Sequence, residues 1–237
     1  MKISVQSKPE SISLEIETTA VMVVDMQNDF GSQGGLFDRM GIDISPIQAV
    51  IAPIARVLTS ARRAGCPIVY LKMGFRPDLS DAGPGDGPNR LKHRQHIGEP
   101  ILAPDGRQSR ILIRDTWNTD IVPALKPEPE DVVIYKHRFS GFFETDLHAH
   151  LRQLSIKNLI FTGCTTSVCV ESTLRDAMFR DYSCLLLADC TAEPIGSDQI
   201  RSNHEATLLV VQRLFGWVSE SSELLQALEG LPEAALV

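Results

Sequence analysis

Three side chains in this sequence have the chemistry of a nucleophile and its two activating partners. Asp25, Lys136 and Cys169 each follow an apolar run, in the case of Cys169 after a turn rich in Gly, Thr and Ser. A thiolate needs a base that takes its proton and a cation that stabilises it, and a carboxylate and an ammonium group supply both. The three side chains predict a cysteine nucleophile if the fold brings them together.

Each of the three also has an ordinary alternative. A free Cys is most often a small buried apolar residue, Asp25 could cap a loop, and a Lys at the end of a strand is usually solvated. Asp25 and Lys136 nevertheless end predicted strands, and Cys169 lies just beyond another. Open α/β sheets bind ligands outside the carboxyl ends of their strands, where such side chains converge. The set therefore favours a catalytic site more strongly than any member does alone.

The stretch 161–178 is predicted to carry the nucleophile at the start of a helix. A turn leads out of a strand, and apolar residues recur at helical spacing from Val170 onward. Thr166 or Ser167 could cap that helix, which leaves Cys169 in or beside its first turn. Because the unpaired N–H groups and the helix dipole favour an anion there, we expect the pKa of the thiol to be depressed.

Apolar runs typical of buried parallel strands alternate along the chain with segments of helical periodicity. Strands are predicted over residues 19–25, 67–72, 131–136, 158–162, 183–189 and 215–218, and helices over residues 46–64, 147–154, 169–178, 198–212 and 222–228. This alternation predicts an α/β fold in which a doubly wound, mostly parallel six-stranded sheet carries helices on both faces. No glycine-rich phosphate-binding motif follows a strand, so nucleotide-binding functions lack support.

Two segments fall outside this alternation. Residues 1–18 are predicted to be an N-terminal extension of a single domain that spans residues 1–237. Residues 73–118 have no clean periodicity and contain clustered Gly and Pro. A segment of that length inside a compact domain is usually functional. We therefore expect residues 73–118 to form a substrate or lid loop.

The composition indicates an ordinary globular protein with an acidic surface. The net charge of −7 and the isoelectric point near 5.4 argue against a nucleic-acid or anionic-membrane partner. The first 20 residues are polar and alternating, so we expect neither a signal peptide nor a spanning helix among them. The five Cys residues include no C-x-x-C pair, which points to reduced thiols. We expect a cytoplasmic protein.

Three ordered motifs resemble the isochorismatase-like cysteine hydrolases, and the resemblance covers roughly residues 20–220. They are Val24-Asp-Met-Gln-Asn-Asp-Phe30, Lys136-His-Arg-Phe-Ser-Gly-Phe-Phe143 and Gly163-Cys-Thr-Thr-Ser-Val-Cys169-Val-Glu-Ser-Thr173. Within that superfamily the chain is most similar to the ureidoacrylate amidohydrolases of pyrimidine-ring catabolism, on the further evidence of Gly87-Pro-Asn89 and Phe215-Gly-Trp-Val-Ser219. The resemblance implies an enzyme that cleaves a C–N bond of a small ureido or amide compound without a cofactor.

The resemblance also implies a set of site residues. Asp25, Lys136 and Cys169 would form the catalytic triad, in which Cys169 attacks the carbonyl and a thioester forms. The peptide bond between Cys164 and Thr165 would be cis. The backbone N–H groups of Thr165 and Cys169 would then form the oxyanion hole.

Aromatic and polar side chains are candidates for the substrate pocket. These candidates are Phe30, Phe75, Asn89, Phe139 and Phe142, and each aromatic could equally be an ordinary core residue. Lys92 and His93, together with Asn89, could bind a substrate carboxylate, although solvated loop residues are the ordinary alternative.

The sequence departs from the ureidoacrylate pattern at positions expected to contact the substrate. Met73, Phe75 and Phe139 stand where the resemblance leads us to expect Asn, Trp and Tyr, and residues 76–80 look like biuret hydrolases instead. Ureidoacrylate is the leading substrate, with biuret or an N-carbamoyl amine as the alternative. A non-catalytic binding protein on the same fold is the alternative from another class.

The sequence also leads to expectations about metal binding and about oligomeric assembly. His93-x-x-His96 and His148-x-His150 could suggest a metal site, but residues 73–80 lack the His that metal-binding relatives carry in that region, so we expect no metal. The resembling family forms oligomers. We therefore expect a homodimer or homotetramer, with residues 215–217 and the C-terminal helix as candidate contact surface.

Overall fold

The computed structural model of the protein describes residues 1–93 and 96–229. The strands are β1 (Lys2–Val5), β2 (Ile12–Glu15), β3 (Thr19–Val24), β4 (Ile68–Met73), β5 (Pro100–Leu102), β6 (Gln108–Arg110), β7 (Val132–Lys136), β8 (Asn158–Cys164), β9 (Ser183–Ala192) and β10 (Trp217–Ser219). The α-helices are α1 (Asn28–Gly31), α2 (Leu36–Arg39), α3 (Ser45–Ala49), α4 (Ile51–Arg63), α5 (Pro88–His93), α6 (Leu147–Gln153), α7 (Glu171–Met178), α8 (Asn203–Val210) and α9 (Ser221–Glu229).

Six strands form one parallel sheet in the order β10-β9-β8-β3-β4-β7. The chain winds outward from β3 through β4 to β7, returns to β8, and then winds outward through β9 to β10. The direction of winding therefore reverses between β3 and β8, and such a switch point opens a crevice at the carboxyl ends of the strands. The predicted doubly wound α/β fold is confirmed.

Helices cover the sheet on both faces and bury β3 completely. Successive side chains of a strand point to opposite faces, so Val21 and Val23 pack with α4 and α9, whereas Met22 and Val24 pack with α6 and α7. Burial on both faces explains why β3 is apolar at nearly every position instead of alternating.

The helix predicted over residues 46–64 is divided into α3 and α4, which meet at Val50. Pro53 has no N–H to donate to the carbonyl of Ala49, so one helical hydrogen bond is lost there. The helix predicted over residues 198–212 begins later, at Asn203, because Ser202 and Glu205 form a capping box at that point.

The two segments outside the predicted alternation contain regular structure. Residues 1–18 hold the antiparallel hairpin of β1 and β2, whose alternate side chains are buried in the core. Lys8 also exchanges backbone hydrogen bonds of 2.8 and 3.0 Å with Val218, which covers part of the outer edge of β10. Residues 73–118 contain α5 and the antiparallel pair β5–β6. Within the described residues, no helix is long and apolar enough to cross a membrane.

Candidate active site

Asp25 directly follows β3 and lies at the switch point of the sheet. Its backbone N–H donates to the carbonyl of Leu71 at 2.9 Å, and its φ of +53° turns the chain out of the strand. On the neighbouring strand, a Cβ at Gly163 would lie 2.0 Å from the carbonyl oxygen of Val24. Glycine is therefore required where β8 passes beside Asp25.

Lys136 ends β7 and reaches Asp25 across the end of β4, where its register partner is Met73. Its Nζ lies 2.7 Å from Oδ2 of Asp25, and the two side chains are at most 1% exposed. The ammonium also lies 3.3 Å from the carbonyl oxygen of Arg138. A cation buried to this degree needs such partners, since desolvation would otherwise displace its proton.

Cys169 lies in a π-helical turn, Thr166–Val170, that joins β8 to α7. The thiol is 7% exposed and lies within hydrogen-bonding reach of Asp25 and Lys136. Within the described part of the chain, neither oxygen of the Asp25 carboxylate has a well-aligned hydrogen bond, despite the close ion pair with Lys136. That carboxylate therefore retains lone pairs that can accept a proton.

The pKa of the Cys169 thiol is raised, whereas the sequence led us to expect a depressed value. Burial raises the pKa of Cys169, and the Asp25 carboxylate raises it further, while the Lys136 cation opposes the shift only in part. Burial also raises the pKa of Asp25, although Lys136 opposes it. Burial alone would lower the pKa of Lys136, but Asp25 and Cys169 outweigh that effect and raise it. The surroundings of Cys169 therefore favour the thiol over the thiolate, with Asp25 and Lys136 in close contact beside it.

The predicted cap of this turn is also wrong. Thr166 bonds through Oγ1 to Nδ1 of His204 at 2.9 Å, and Ser167 donates its Oγ–H to Glu193 at 2.6 Å. The backbone N–H of Ser167 donates to the same carboxylate oxygen of Glu193 at 3.0 Å. Glu193 therefore supplies the hydrogen-bond acceptor that we had predicted to come from the hydroxyl of Thr166 or Ser167. Its negative charge also offsets part of the positive partial charge at the N-terminal end of the helix.

The Cys164–Thr165 peptide bond is cis, the conformation that the resemblance implied. Thr165 and Cys169 border the same cavity as Asp25. The backbone N–H groups assigned to the oxyanion hole therefore belong to residues at the cavity that holds the thiol.

This cavity has a volume of about 240 Å³. Its lining residues are Asp25, Phe30, Leu36, Phe37, Met40, Met73, Lys92, His96, Leu112, Phe139, Thr165, Val168, Cys169 and Ile195. Four of them come from residues 73–118, the segment that we expected to carry substrate contacts. Phe30 and Phe139 are the two aromatic candidates that border the cavity, and Lys92 also does so.

Three of the predicted pocket residues do not line the cavity. Phe75 is fully buried in the core on the α4 side of the sheet, Phe142 packs on Tyr182 on the opposite face, and Asn89 donates to the carbonyl of Ala82 at 3.0 Å. The sequence around Phe75 and Phe142 is compatible with a pocket wall and with the core, and in the structure both rings pack in the core. The side chain of His93 lies outside the described residues.

Sequence reasoning missed several residues of the site. Met40 and Ile195 border the cavity, and Glu193 and His204 hold the turn before Cys169. Glu193 and Ile195 follow β9 directly, at the same sheet edge as Asp25, so their position after a strand was an available signal. Met40 and His204 come from helical segments and gave no comparable signal.

The comparisons with known proteins agree with this architecture. The isochorismatase domain family matches residues 19–223. The ureidoacrylate amidohydrolase RutB of Methylobacterium radiotolerans is 39% identical over 229 residues, which cover 97% of this chain and 86% of that protein. The ureidoacrylate amidohydrolase RutB of Agrobacterium fabrum is 39% identical over 213 residues, covering 90% of this chain and 91% of that protein.

Solved structures of other proteins have the same fold as this chain. A cysteine hydrolase from Pseudomonas syringae pv. phaseolicola superposes with a TM-score of 0.74 at 28% identity, covering 91% of this chain and 94% of that one. The N-carbamoylsarcosine amidase of Thermoplasma acidophilum has the same fold, with a TM-score of 0.63 at 22% identity, covering 86% of this chain and 96% of that one. The chain therefore belongs to the isochorismatase family and is an amidohydrolase of that family.

Proposed function

We propose that this amidohydrolase cleaves a C–N bond of a small ureido compound, with Cys169 as the nucleophile and ureidoacrylate as the leading substrate. The observation that carries the proposal is the contact of a buried thiol with the Asp25–Lys136 ion pair at the inner end of a cavity. The named activity of the RutB relatives supports the choice of substrate.

The reaction begins with transfer of the thiol proton of Cys169 to the carboxylate of Asp25. The raised pKa of Asp25 makes its carboxylate a stronger base than an ordinary Asp, and Lys136 stabilises the thiolate that forms. The thiolate attacks the ureido carbonyl, and the N–H groups of Thr165 and Cys169 stabilise the oxyanion. Asp25 then gives its proton to the departing nitrogen, and a C–S bond has replaced the C–N bond.

Hydrolysis of the acyl-enzyme completes the cycle. Asp25, again a carboxylate, takes a proton from water, and the resulting hydroxide attacks the carbonyl of the thioester. The C–S bond breaks, and the thiolate of Cys169 recovers the proton held by Asp25. With ureidoacrylate the products are aminoacrylate and carbamate, so the enzyme would act in pyrimidine catabolism in the cytoplasm.

Biuret or an N-carbamoyl amine is the second candidate substrate. Met73 and Phe139 border the cavity at positions where the resemblance leads us to expect polar contacts. A non-catalytic binding protein is the candidate from another class, and it would retain the cavity without turnover.

A substrate panel tests the proposal. Purified protein is offered ureidoacrylate, biuret, N-carbamoylsarcosine and nicotinamide in parallel, and the released ammonia is measured. We expect the highest kcat/KM with ureidoacrylate and no turnover by Cys169→Ala. A preference for biuret or the carbamoyl amine would reassign the substrate, and turnover that persists in Cys169→Ala would contradict the proposed nucleophile.

A further inference from the structure

The polar groups of the catalytic cavity are confined to its two ends. Asp25, Thr165 and Cys169 lie at the closed end, where each is at most 7% exposed. Lys92 is exposed and the side chain of His96 is 31% exposed, so these two mark the open end. A bound molecule therefore meets the reacting groups at one end and a cationic or neutral polar group at the other.

Apolar side chains occupy the wall between these ends. Leu112 and Met73 are buried in the deeper part of the wall. Met40, Phe139 and Ile195 surround the opening and are 49%, 41% and 44% exposed. Large apolar side chains clustered around a cavity mouth mark a binding surface, because their exposure to water is otherwise unfavourable.

This wall discriminates between substrates by the chemistry of their middle portion. An amide or hydroxyl group placed against this wall would lose its hydrogen bonds to water and would find no new partner among the apolar side chains. The transfer of an alkyl group from water to this wall is favourable. Each methylene is worth about 0.8 kcal/mol, which corresponds to roughly a fourfold gain in affinity.

We propose that, beyond ureidoacrylate, the cavity accepts ureido acids that carry an apolar side chain on the carbon between the ureido group and the carboxylate, and that it binds them more tightly as that side chain grows. The inference rests on the proposed function, since Cys169 fixes which end of the ligand holds the carbonyl. The carbonyl lies at Cys169 and Thr165, the side chain packs along the wall, and the carboxylate lies at the open end near Lys92. The N-carbamoyl derivatives of aliphatic amino acids have this chemistry.

A homologous series of ligands tests the inference separately from catalysis. N-carbamoylglycine, N-carbamoylalanine, N-carbamoylvaline and N-carbamoylleucine are titrated by calorimetry into the full-length Cys169→Ala variant, which cannot form the acyl-enzyme. We expect Kd to fall roughly fourfold for each added carbon, so that N-carbamoylleucine, with four side-chain carbons, binds roughly 250-fold more tightly than N-carbamoylglycine. A Kd that is constant or rises along the series would overturn the inference.

Wild-type turnover of the same series separates the two proposals. A falling Kd without any turnover would retain the apolar specificity and overturn the proposed hydrolysis of ureido compounds. Turnover with a constant Kd would retain the hydrolase and overturn the apolar specificity.

A matched pair of variants tests whether the dependence of Kd on the ligand's side chain arises at this cavity. Met40→Gln keeps nearly the same side-chain volume but makes the mouth polar, and Met40 is exposed enough that folding should not depend on it. We expect the ratio of the glycine Kd to the leucine Kd to fall at least threefold. Leu102→Gln makes the same kind of change at a 65% exposed site on β5 outside the cavity lining, and should leave the ratio unchanged. An unchanged ratio in Met40→Gln would contradict recognition by this wall.

Discussion

At the scale of single residues, the charges of the site depend on one another. Asp25 and Lys136 are buried together, and the thiol of Cys169 contacts both. Removing one member of a buried ion pair leaves the other uncompensated, which typically costs 3–5 kcal/mol. Isosteric changes that remove charge but keep shape are therefore the informative substitutions here.

Asp25→Asn should abolish most activity while retaining the shape of the site. The amide cannot take the thiol proton, so we expect kcat/KM to fall by about 10²–10⁴-fold. Alkylation of Cys169 by iodoacetamide should slow in parallel, with a circular dichroism spectrum like that of the wild type. Alkylation at the wild-type rate would contradict the assignment of Asp25 as the base.

A second buried carboxylate predicts how stability depends on pH. Asp29 accepts backbone N–H groups from Leu36 and Leu112 and an amide N–H from Asn118. Burial raises the pKa of Asp29 from 3.8 to about 7, against the opposing effect of these hydrogen bonds. The folded chain therefore keeps this proton over a range in which the unfolded chain has lost it, so the stability contribution is lost as pH rises through 7.

Asp29→Asn mimics the protonated form and should remove that pH dependence. From pH 5 to pH 8, the free energy of unfolding of the wild type should fall by roughly 2–3 kcal/mol relative to the variant. Urea denaturation of both proteins across this range measures the difference. A difference that is independent of pH, or that grows in favour of the wild type, would contradict the raised pKa.

At the scale of elements, the turn that carries Cys169 is held by a later part of the chain. Glu193 follows β9 and accepts the N–H and the hydroxyl of Ser167 through one oxygen. Its other oxygen accepts the N–H of Ile195 at 3.0 Å, and Ile195 borders the cavity. One side chain thus connects the nucleophile turn to the cavity mouth.

Glu193→Ala should lower kcat with a smaller effect on KM, because the turn that carries the proposed oxyanion N–H groups loses its support, whereas of the apolar wall only the backbone of Ile195 loses a partner. We expect a loss of at least tenfold in kcat, with partial recovery in Glu193→Gln, which keeps one acceptor oxygen. The loss of stability should be about 1–3 kcal/mol for the N–H groups left without a partner. Steady-state kinetics with urea denaturation measures both, and an unchanged kcat in a destabilised Glu193→Ala would indicate a structural role alone.

These elements also mark the limit of prediction from the sequence. The proximity of Asp25, Lys136 and Cys169 could be predicted because each follows a strand, Cys169 after a turn, and parallel strands bring such positions to one edge. Phe75 and Phe142 were misassigned because pocket and core aromatics have the same local pattern. The pKa of Cys169 was misjudged because burial and the charge of Asp25, which raise it, depend on contacts between segments far apart in the chain.

At the scale of the whole molecule, assembly is the expectation that remains to be tested. Phe179 and Leu214 are 67% and 66% exposed, and the ring of Phe179 lies 6.3 Å from that of Phe215, a member of the predicted contact surface. Exposed apolar groups of this size favour association with another protein surface.

We predict that the protein is a homodimer or homotetramer at micromolar concentration, and that Leu214→Glu weakens the assembly by burying a charge at the contact. Sedimentation velocity measures the mass of each. Leu102→Glu, at a similarly exposed site on β5, is the control and should sediment as the wild type does. A wild type that sediments as a single chain would contradict the prediction.

The most direct test of the whole account is whether a covalent intermediate forms on Cys169. Wild-type protein is mixed with ureidoacrylate, quenched in acid during turnover, and examined by intact and peptide mass spectrometry. We predict that the mass rises by one carbamoyl group, located on the peptide that contains Cys169, and that Cys169→Ala shows neither adduct nor turnover. Turnover without an adduct in the wild type, together with activity in Cys169→Ala, would contradict the proposed nucleophile.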